Sequence, residues 1–147
     1  MSLHESERYS DRVLIIETNI DDSTPEELGF FMELLFEAGA KDASYTPVYM
    51  KKGRPAFLLT VICSPDTEEK MTRLIFENTS SIGIRKRITD RTVMEREIIT
   101  VDTLYGPLKA KRCTYGDIVK TVPEYESAAE LSRKTGVSIQ KILRSLD

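Results

Sequence analysis

Thr24-Pro25-Glu26-Glu27 constrains the fold of this chain more than any other segment. Thr24 can accept from the backbone of a first helical turn, Pro25 suits the first helical position, and Glu27 completes a capping box. Leu28, Phe31, Met32, Leu35 and Phe36 then recur on one helical face, and Gly39 fits a left-handed stop. The pattern predicts a helix over 25–38. Just upstream, Val13-Leu14-Ile15-Ile16 is a short apolar run that reads as a buried strand. A strand therefore feeds a helix through one short polar turn.

The same reading carries down the chain. Residues 43–50 form a strand, broken by Lys51-Lys52-Gly53-Arg54-Pro55, and the unbroken apolar run 57–63 reads as a central strand. Ser64-Pro65-Asp66 opens a second helix with Met71, Leu74 and Ile75 on its inner face, fading at Asn78-Thr79-Ser80-Ser81. Residues 82–89 and 96–101 are strands rich in β-branched side chains. Tyr105-Gly106-Pro107 is a turn, followed by shorter strands over 108–114 and 118–122. A helix runs from Pro123-Glu124 to about residue 134, and another covers 138–146. The order β-α-β-β-α-β over the first ninety or so residues is that of a ferredoxin-like, split βαβ core in an α+β fold. The later strands would extend or flank its sheet, and a helical hairpin ends the chain.

At 147 residues, with 40% apolar and 31% charged residues, the chain is expected to be one globular domain over 13–147. Residues 1–12 are expected to be a disordered segment or a vector-derived remnant. The formal net charge of −3 argues against general nucleic-acid binding, and no apolar run suggests a membrane span. Cys63 and Cys113 stand singly, without the spacing of a zinc site, and suit packed, reduced thiols in a cytoplasmic protein. His4 is the only histidine and lies in the polar N-terminal segment, so His-based catalysis is not expected.

Residues 13–40 hold seven carboxylates and no Lys or Arg. Such a cluster at a strand end is either a solvated turn that caps a helix or a site for a hard cation, which takes oxygen ligands. Helix-start chemistry accounts for Thr24 to Glu27, which leaves Asn19, Asp21 and Asp22 as candidate metal ligands. Lys51, Lys52 and Arg54 flank Gly53, where a backbone can approach an anion closely; Arg grips phosphate as a fork and Lys as a point charge. The alternative there is a solvated hairpin. Glu77-Asn78-Thr79-Ser80-Ser81-Ile82-Gly83-Ile84-Arg85 packs hydroxyls, a glycine and an arginine between a helix end and a strand. No Walker A, GxGxxG, nucleophile elbow or HExxH pattern occurs.

The tail Leu131-Ser132-Arg133-Lys134-Thr135-Gly136-Val137-Ser138-Ile139-Gln140-Lys141-Ile142 matches a helix-turn-helix at pattern level. Docking to DNA would need a basic face on its second helix. Residues 124–147 carry four cations against four acids, and Ile139, Ile142, Leu143 and Leu146 recur at helical spacing, which favours packing.

Taken together, Glu17-Thr18-Asn19-Ile20-Asp21-Asp22-Ser23-Thr24-Pro25-Glu26, Met50-Lys51-Lys52-Gly53-Arg54-Pro55, Glu77 to Arg85 and Val122-Pro123-Glu124-Tyr125-Glu126 resemble the C-terminal portion of the LarC family. These are the nickel-insertion proteins of lactate racemase maturation. The resemblance runs from about residue 13 to the end in the family's motif order, with Ser23 where the family often has Met. The family's longer N-terminal region, with its His-rich stretch, is absent, so the chain is either a natural half or an excised one.

The resemblance implies nickel chelation into pyridinium-3,5-bisthiocarboxylic acid mononucleotide with CTP hydrolysis, a lyase activity of the full-length protein. It implies a domain that binds CTP with Mn²⁺ or Mg²⁺ and a homo-oligomer, trimer or hexamer. Carried over, Asn19, Asp21 and Asp22 would hold the metal. Lys51, Lys52, Arg54, Thr79, Ser80 and Arg85 would meet the nucleotide phosphates, with Glu17, Glu77 and Glu124 as further members. No catalytic residue is assigned. Two other classes stand beside this one: a ferredoxin-like ligand-binding or oligomerisation module without catalysis, and a helix-turn-helix DNA-binding tail.

Overall fold

The computed structural model describes residues 7–146, which divide into two compact units, residues 11–91 and residues 92–146 together with residues 7–10. In the first unit the elements run β1 (Ser10–Ile20), α1 (Pro25–Glu37), β2 (Asp42–Met50), β3 (Arg54–Cys63), α2 (Glu68–Asn78) and β4 (Arg85–Thr92). The sheet order is β2-β3-β1-β4, and β3 runs antiparallel to both β2 and β1. The apolar run 57–63 is thus an interior strand, as its sequence implies.

Alternation along β1 decides what each side chain does. Leu14, Ile16, Thr18 and Ile20 are buried, whereas Ile15, Glu17 and Asn19 occupy the opposite face. The buried set packs with Leu59, Val61 and Cys63 of β3 and with Leu28, Phe31, Leu35, Met71 and Ile75 of the two helices. Helix α1 starts as its sequence dictates: the Glu27 amide donates to Thr24 Oγ1 at 3.3 Å, and the Thr24 amide donates to Glu27 Oε2 at 2.7 Å. Tyr45 of β2 donates to the Leu28 carbonyl at 2.8 Å, tying the helix to the sheet, and burial pushes its phenol up to about 12. Pro65–Thr67 makes a short 3₁₀ turn before α2.

In the second unit, β5 (Glu95–Thr103), β6 (Gly106–Tyr115) and β7 (Ile118–Pro123) form a separate antiparallel sheet in the order β5-β6-β7. These strands do not extend the four-stranded sheet. Leu108 of β6 packs with Ala128 and Leu131 of α3 (Tyr125–Thr135) and with Ile142 of α4 (Ile139–Leu143). Gly136, at φ 72°, closes α3 in the left-handed conformation. The fold is a mixed α/β arrangement with antiparallel sheets.

Three expectations need correction. The strand foreseen from residue 82 begins at Arg85, because Ser80, Ser81 and Gly83 make hydrogen bonds to Asp22 and Thr18 instead of joining a ladder. The second helix of the tail pattern has five residues, with Ile142 fully buried and Ile139, Leu143 and Leu146 packed around it. It is a packing element, not a recognition helix. The boundary placed at residue 13 also falls late: Tyr9 is buried, its hydroxyl accepts from the Gly116 amide at 3.0 Å, and β1 begins at Ser10. The rest of the segment expected to be disordered, residues 1–6 with His4, lies outside the described residues.

Cys63 is buried and Cys113 half-buried, both as free thiols. Among the described residues no helix is long and apolar enough to cross a membrane.

Candidate functional site

The end of β1 and the loop that enters β4 build the site. Because residue 18 faces the core, Glu17 and Asn19 share the other face, alongside Arg85 and Arg87 of the neighbouring β4. Arg85 donates to Asn19 Oδ1 at 2.7 Å and lies 3.9 Å from the Glu17 carboxylate. Arg87 pairs with Glu17 at 3.2 Å. Past the strand end, Asp21 faces Arg54 at 3.6 Å, and Asp22 accepts from the Ser80 hydroxyl. The acidic stretch therefore finds its counter-charges in segments distant in sequence, and each acid from Glu17 to Asp22 has a partner.

These groups border an open recess of about 440 Å³ lined by Thr18, Asn19, Asp21, Met50, Ser80, Ser81, Ile82, Gly83 and Arg85. Metal, hydroxyl and guanidinium candidates thus meet at one place: Asn19, Asp21, Ser80 and Arg85 line the recess, and Asp22 and Arg54 contact lining residues. Arg54 enters from the Lys51–Gly53 turn that joins β2 to β3. There Lys52 has φ 62° and Gly53 φ 68°, so a lysine occupies a conformation that side chains seldom adopt. Lys51 and Lys52 form no ion pair among the described residues and are solvent-exposed. Thr79 acts as a helix end, its hydroxyl donating to the Ile75 carbonyl at 2.8 Å and accepting from the Ser81 amide at 3.2 Å.

Two expected members stand elsewhere. Glu77 pairs with Arg73 at 2.7 Å on the exposed side of α2. It lines a larger recess of about 710 Å³ with Pro65, Phe76 and Lys86. Its cations are paired within it, Arg73 by Glu77 and Lys86 by Glu68, and none of Asn19, Asp21 and Asp22 lines it. Glu124 belongs to the second unit, where it precedes α3 and lies 3.8 Å from Lys111.

Thr18 is the member that sequence reasoning missed. It is the one buried polar side chain among the described residues, in a series that is otherwise apolar. Its hydroxyl contacts Ser81 Oγ and donates to the Gly83 carbonyl at 3.0 Å. A hydroxyl among Leu14, Ile16 and Ile20 was the available signal. Among the described residues, no three His, Cys, Asp or Glu side chains converge as a metal site, so Asn19, Asp21 and Asp22 offer two carboxylates and an amide, not a complete cage.

Elsewhere in the first unit, Asp11 accepts from Arg91 through two bonds of 2.7 Å and from Lys41 at 3.2 Å. The Arg91 guanidinium holds the Asp11 carboxyl down to about 2, outweighing the opposing effect of burial.

Comparison with known proteins matches this architecture to one family. The family model described as "Nickel insertion protein" matches residues 1–143. The pyridinium-3,5-bisthiocarboxylic acid mononucleotide nickel insertion protein of Alkaliphilus metalliredigens is 46% identical over 128 residues, 87% of this chain and 30% of that protein. The protein of the same name from Acetivibrio thermocellus is 44% identical over 138 residues, 94% of this chain and 34% of that protein. The chain thus spans about a third of the length of these relatives. Among solved structures, the apo form of LarC2 superposes with a TM-score of 0.88 at 41% identity, covering 93% of this chain and 95% of that one. That structure is described as the C-terminal domain of a cyclometallase involved in the synthesis of the NPN cofactor of lactate racemase. A protein from Methanopyrus kandleri shares the fold alone, at TM-score 0.67 and 22% identity. The chain belongs to the nickel insertion protein family and corresponds to its LarC C-terminal domain.

Proposed function

We propose that this chain is the nucleotide-binding part of a nickel insertion protein, taking CTP with Mn²⁺ or Mg²⁺ at the acidic end of β1. In the full-length protein that binding would serve insertion of nickel, a substrate here, into pyridinium-3,5-bisthiocarboxylic acid mononucleotide. The supporting observation is the recess itself. It gathers hard oxygen donors, a hydroxyl loop and a guanidinium within one unit, with three further cations on the adjoining turn.

The donor set suits the metal. Mg²⁺ and Mn²⁺ are typically held by one or two carboxylates and complete their shells with water and phosphate oxygens. Asn19, Asp21 and Asp22 would hold it, and when bound it would neutralise charge on the phosphates. Arg54 and Arg85 balance the acids in the ligand-free protein and would turn to a triphosphate, with the exposed Lys51 and Lys52 as point charges. Ser80 would add a hydroxyl once its proton leaves Asp22 for a phosphate oxygen, and Thr79, bonded to the Ile75 carbonyl, would hold the start of that loop. Glu17 orients Arg85 and Arg87.

The strand order β2-β3-β1-β4 with the element order β-α-β-β-α-β supports reading the first unit as ferredoxin-like. A trimeric or hexameric assembly, a cytoplasmic setting and dependence of CTP hydrolysis on the family's N-terminal region belong to the same proposal. Isothermal titration of this chain with CTP and Mn²⁺ tests it. Binding should be metal-dependent, and Asp21→Ala should weaken it by about tenfold or more. No heat with CTP, or affinity unchanged in Asp21→Ala, contradicts it. A module that only self-assembles would give an oligomer in light scattering and no nucleotide affinity.

A further inference from the structure

We infer that Thr18 is a positioning residue, which fixes residues 80–83 so that Ser80, Ser81 and Arg85 face the recess; this rests on the nucleotide-site reading above. Three observations carry it. Thr18 is 2% exposed in a strand whose other core-facing residues from 14 to 20 are apolar, where a valine of the same shape would pack without a polar atom to bury. Its hydroxyl has no partner within its own strand; it reaches across to Ser81 Oγ and to the Gly83 carbonyl. Ser81 Oγ also lies 2.9 Å from the Gly83 carbonyl, so with Thr18 donating to that carbonyl the Ser81 proton goes either to the carbonyl or to Thr18 Oγ1, and the three oxygens close one triangle between the two segments.

The segment so held has no other regular structure. Residues 79–84 lie between α2 and β4 and take part in neither the helix nor the ladder. Thr79 ties the start of the segment to the Ile75 carbonyl and the Ser81 amide, and the contacts that leave the segment for the sheet run to residues 18–22: Thr18 to Ser81 and Gly83, and Ser80 to Asp22. At the end of the segment, Arg85 bonds Asn19, the neighbour of Thr18 on the opposite face. Adjacent residues of β1 thus act on both faces of the sheet, Thr18 anchoring the loop from within and Asn19 receiving the arginine that the loop delivers. Loss of the inner anchor would leave Ser80 and Arg85 free to depart from the recess, and groups that orient a binding shell typically alter affinity tenfold to a hundredfold when removed.

The test compares Thr18→Val, Thr18→Ser and Ser81→Ala by titration with Mn²⁺ and CTP, thermal unfolding and amide hydrogen exchange at residues 80–83. Thr18→Val should keep a cooperative unfolding transition, speed exchange in the loop, and weaken nucleotide binding about tenfold or more. Thr18→Ser, which retains the hydroxyl, should restore affinity. Ser81→Ala alters no core volume and should speed exchange at residues 80–83, a readout that loss of Ser81 from the recess lining alone would not move and that decides the matter if Thr18→Val fails to fold. Wild-type affinity in Thr18→Val or unchanged exchange in Ser81→Ala overturns the assignment, as does failure of Thr18→Ser to recover affinity. Absence of binding by the wild-type chain sinks the nucleotide reading instead. Hydrogen exchange in the ligand-free protein then still decides whether Thr18 orders the loop, and unchanged rates in Thr18→Val refute that.

Discussion

Lys52 holds a backbone conformation against its own preference. Its φ of 62° lies in the left-handed region, which costs a side-chain-bearing residue roughly 1–2 kcal/mol. Glycine would adopt the same backbone without that cost. Lys52→Gly should therefore leave the denaturant midpoint unchanged or raise it, while weakening metal-dependent CTP binding in titration. Loss of stability together with unchanged affinity would contradict a phosphate-facing role. Other residues were legible from the sequence to different degrees. Asn19, Asp21 and Asp22 stood out because helix-start chemistry left them unexplained. Thr18 did not, because burial alternation becomes visible only when neighbouring strands are in place. Glu77 fits a motif in sequence yet pairs with Arg73, an i,i+4 partner that the spacing on the expected helix already offered.

At the scale of elements, the start of α1 was the most readable feature. Cap, proline and glutamate all act locally, and the observed bonds of Thr24 and Glu27 are those the sequence prescribes. Thr24→Ala should cost about 1 kcal/mol in urea unfolding, typical of a lost N-cap. The start of β4 was less readable, since hydroxyl-rich residues 80–83 carry strand-compatible Ile82 but bond to residues distant in sequence. Further along the same strand, Arg91 bonds Asp11 of β1. The folded carboxyl is held down to about 2 by that guanidinium, below the ordinary carboxylate range. Its contribution is therefore fully present above about pH 4 and is lost as pH falls towards 2. Asp11→Asn should be less stable than wild type near neutrality, and the gap in denaturant midpoint should close between pH 4 and pH 2. A gap that persists at pH 2 would show that the pairing is not the cause.

For the whole molecule, the sequence revealed the elements but not their grouping. Strands of similar length and composition can join one sheet or start another, and the choice rests on long-range pairing that period-2 patterns do not encode. Here β5, β6 and β7 pair among themselves, and the tail helices cover Leu108 of that second sheet. Ile142 lies at the centre of that small core, so Ile142→Ala should destabilise the chain by about 2–5 kcal/mol in chemical unfolding. The chain is about a third as long as its curated relatives, and the proposal puts nucleotide binding in its first unit. The direct test of the central claim is a crystal structure of this chain soaked with CTP and Mn²⁺. The triphosphate should lie in the recess beside Asn19, Asp21, Ser80 and Arg85, with the metal against Asp21 or Asp22. A triphosphate bound elsewhere, with that recess unchanged, would contradict it.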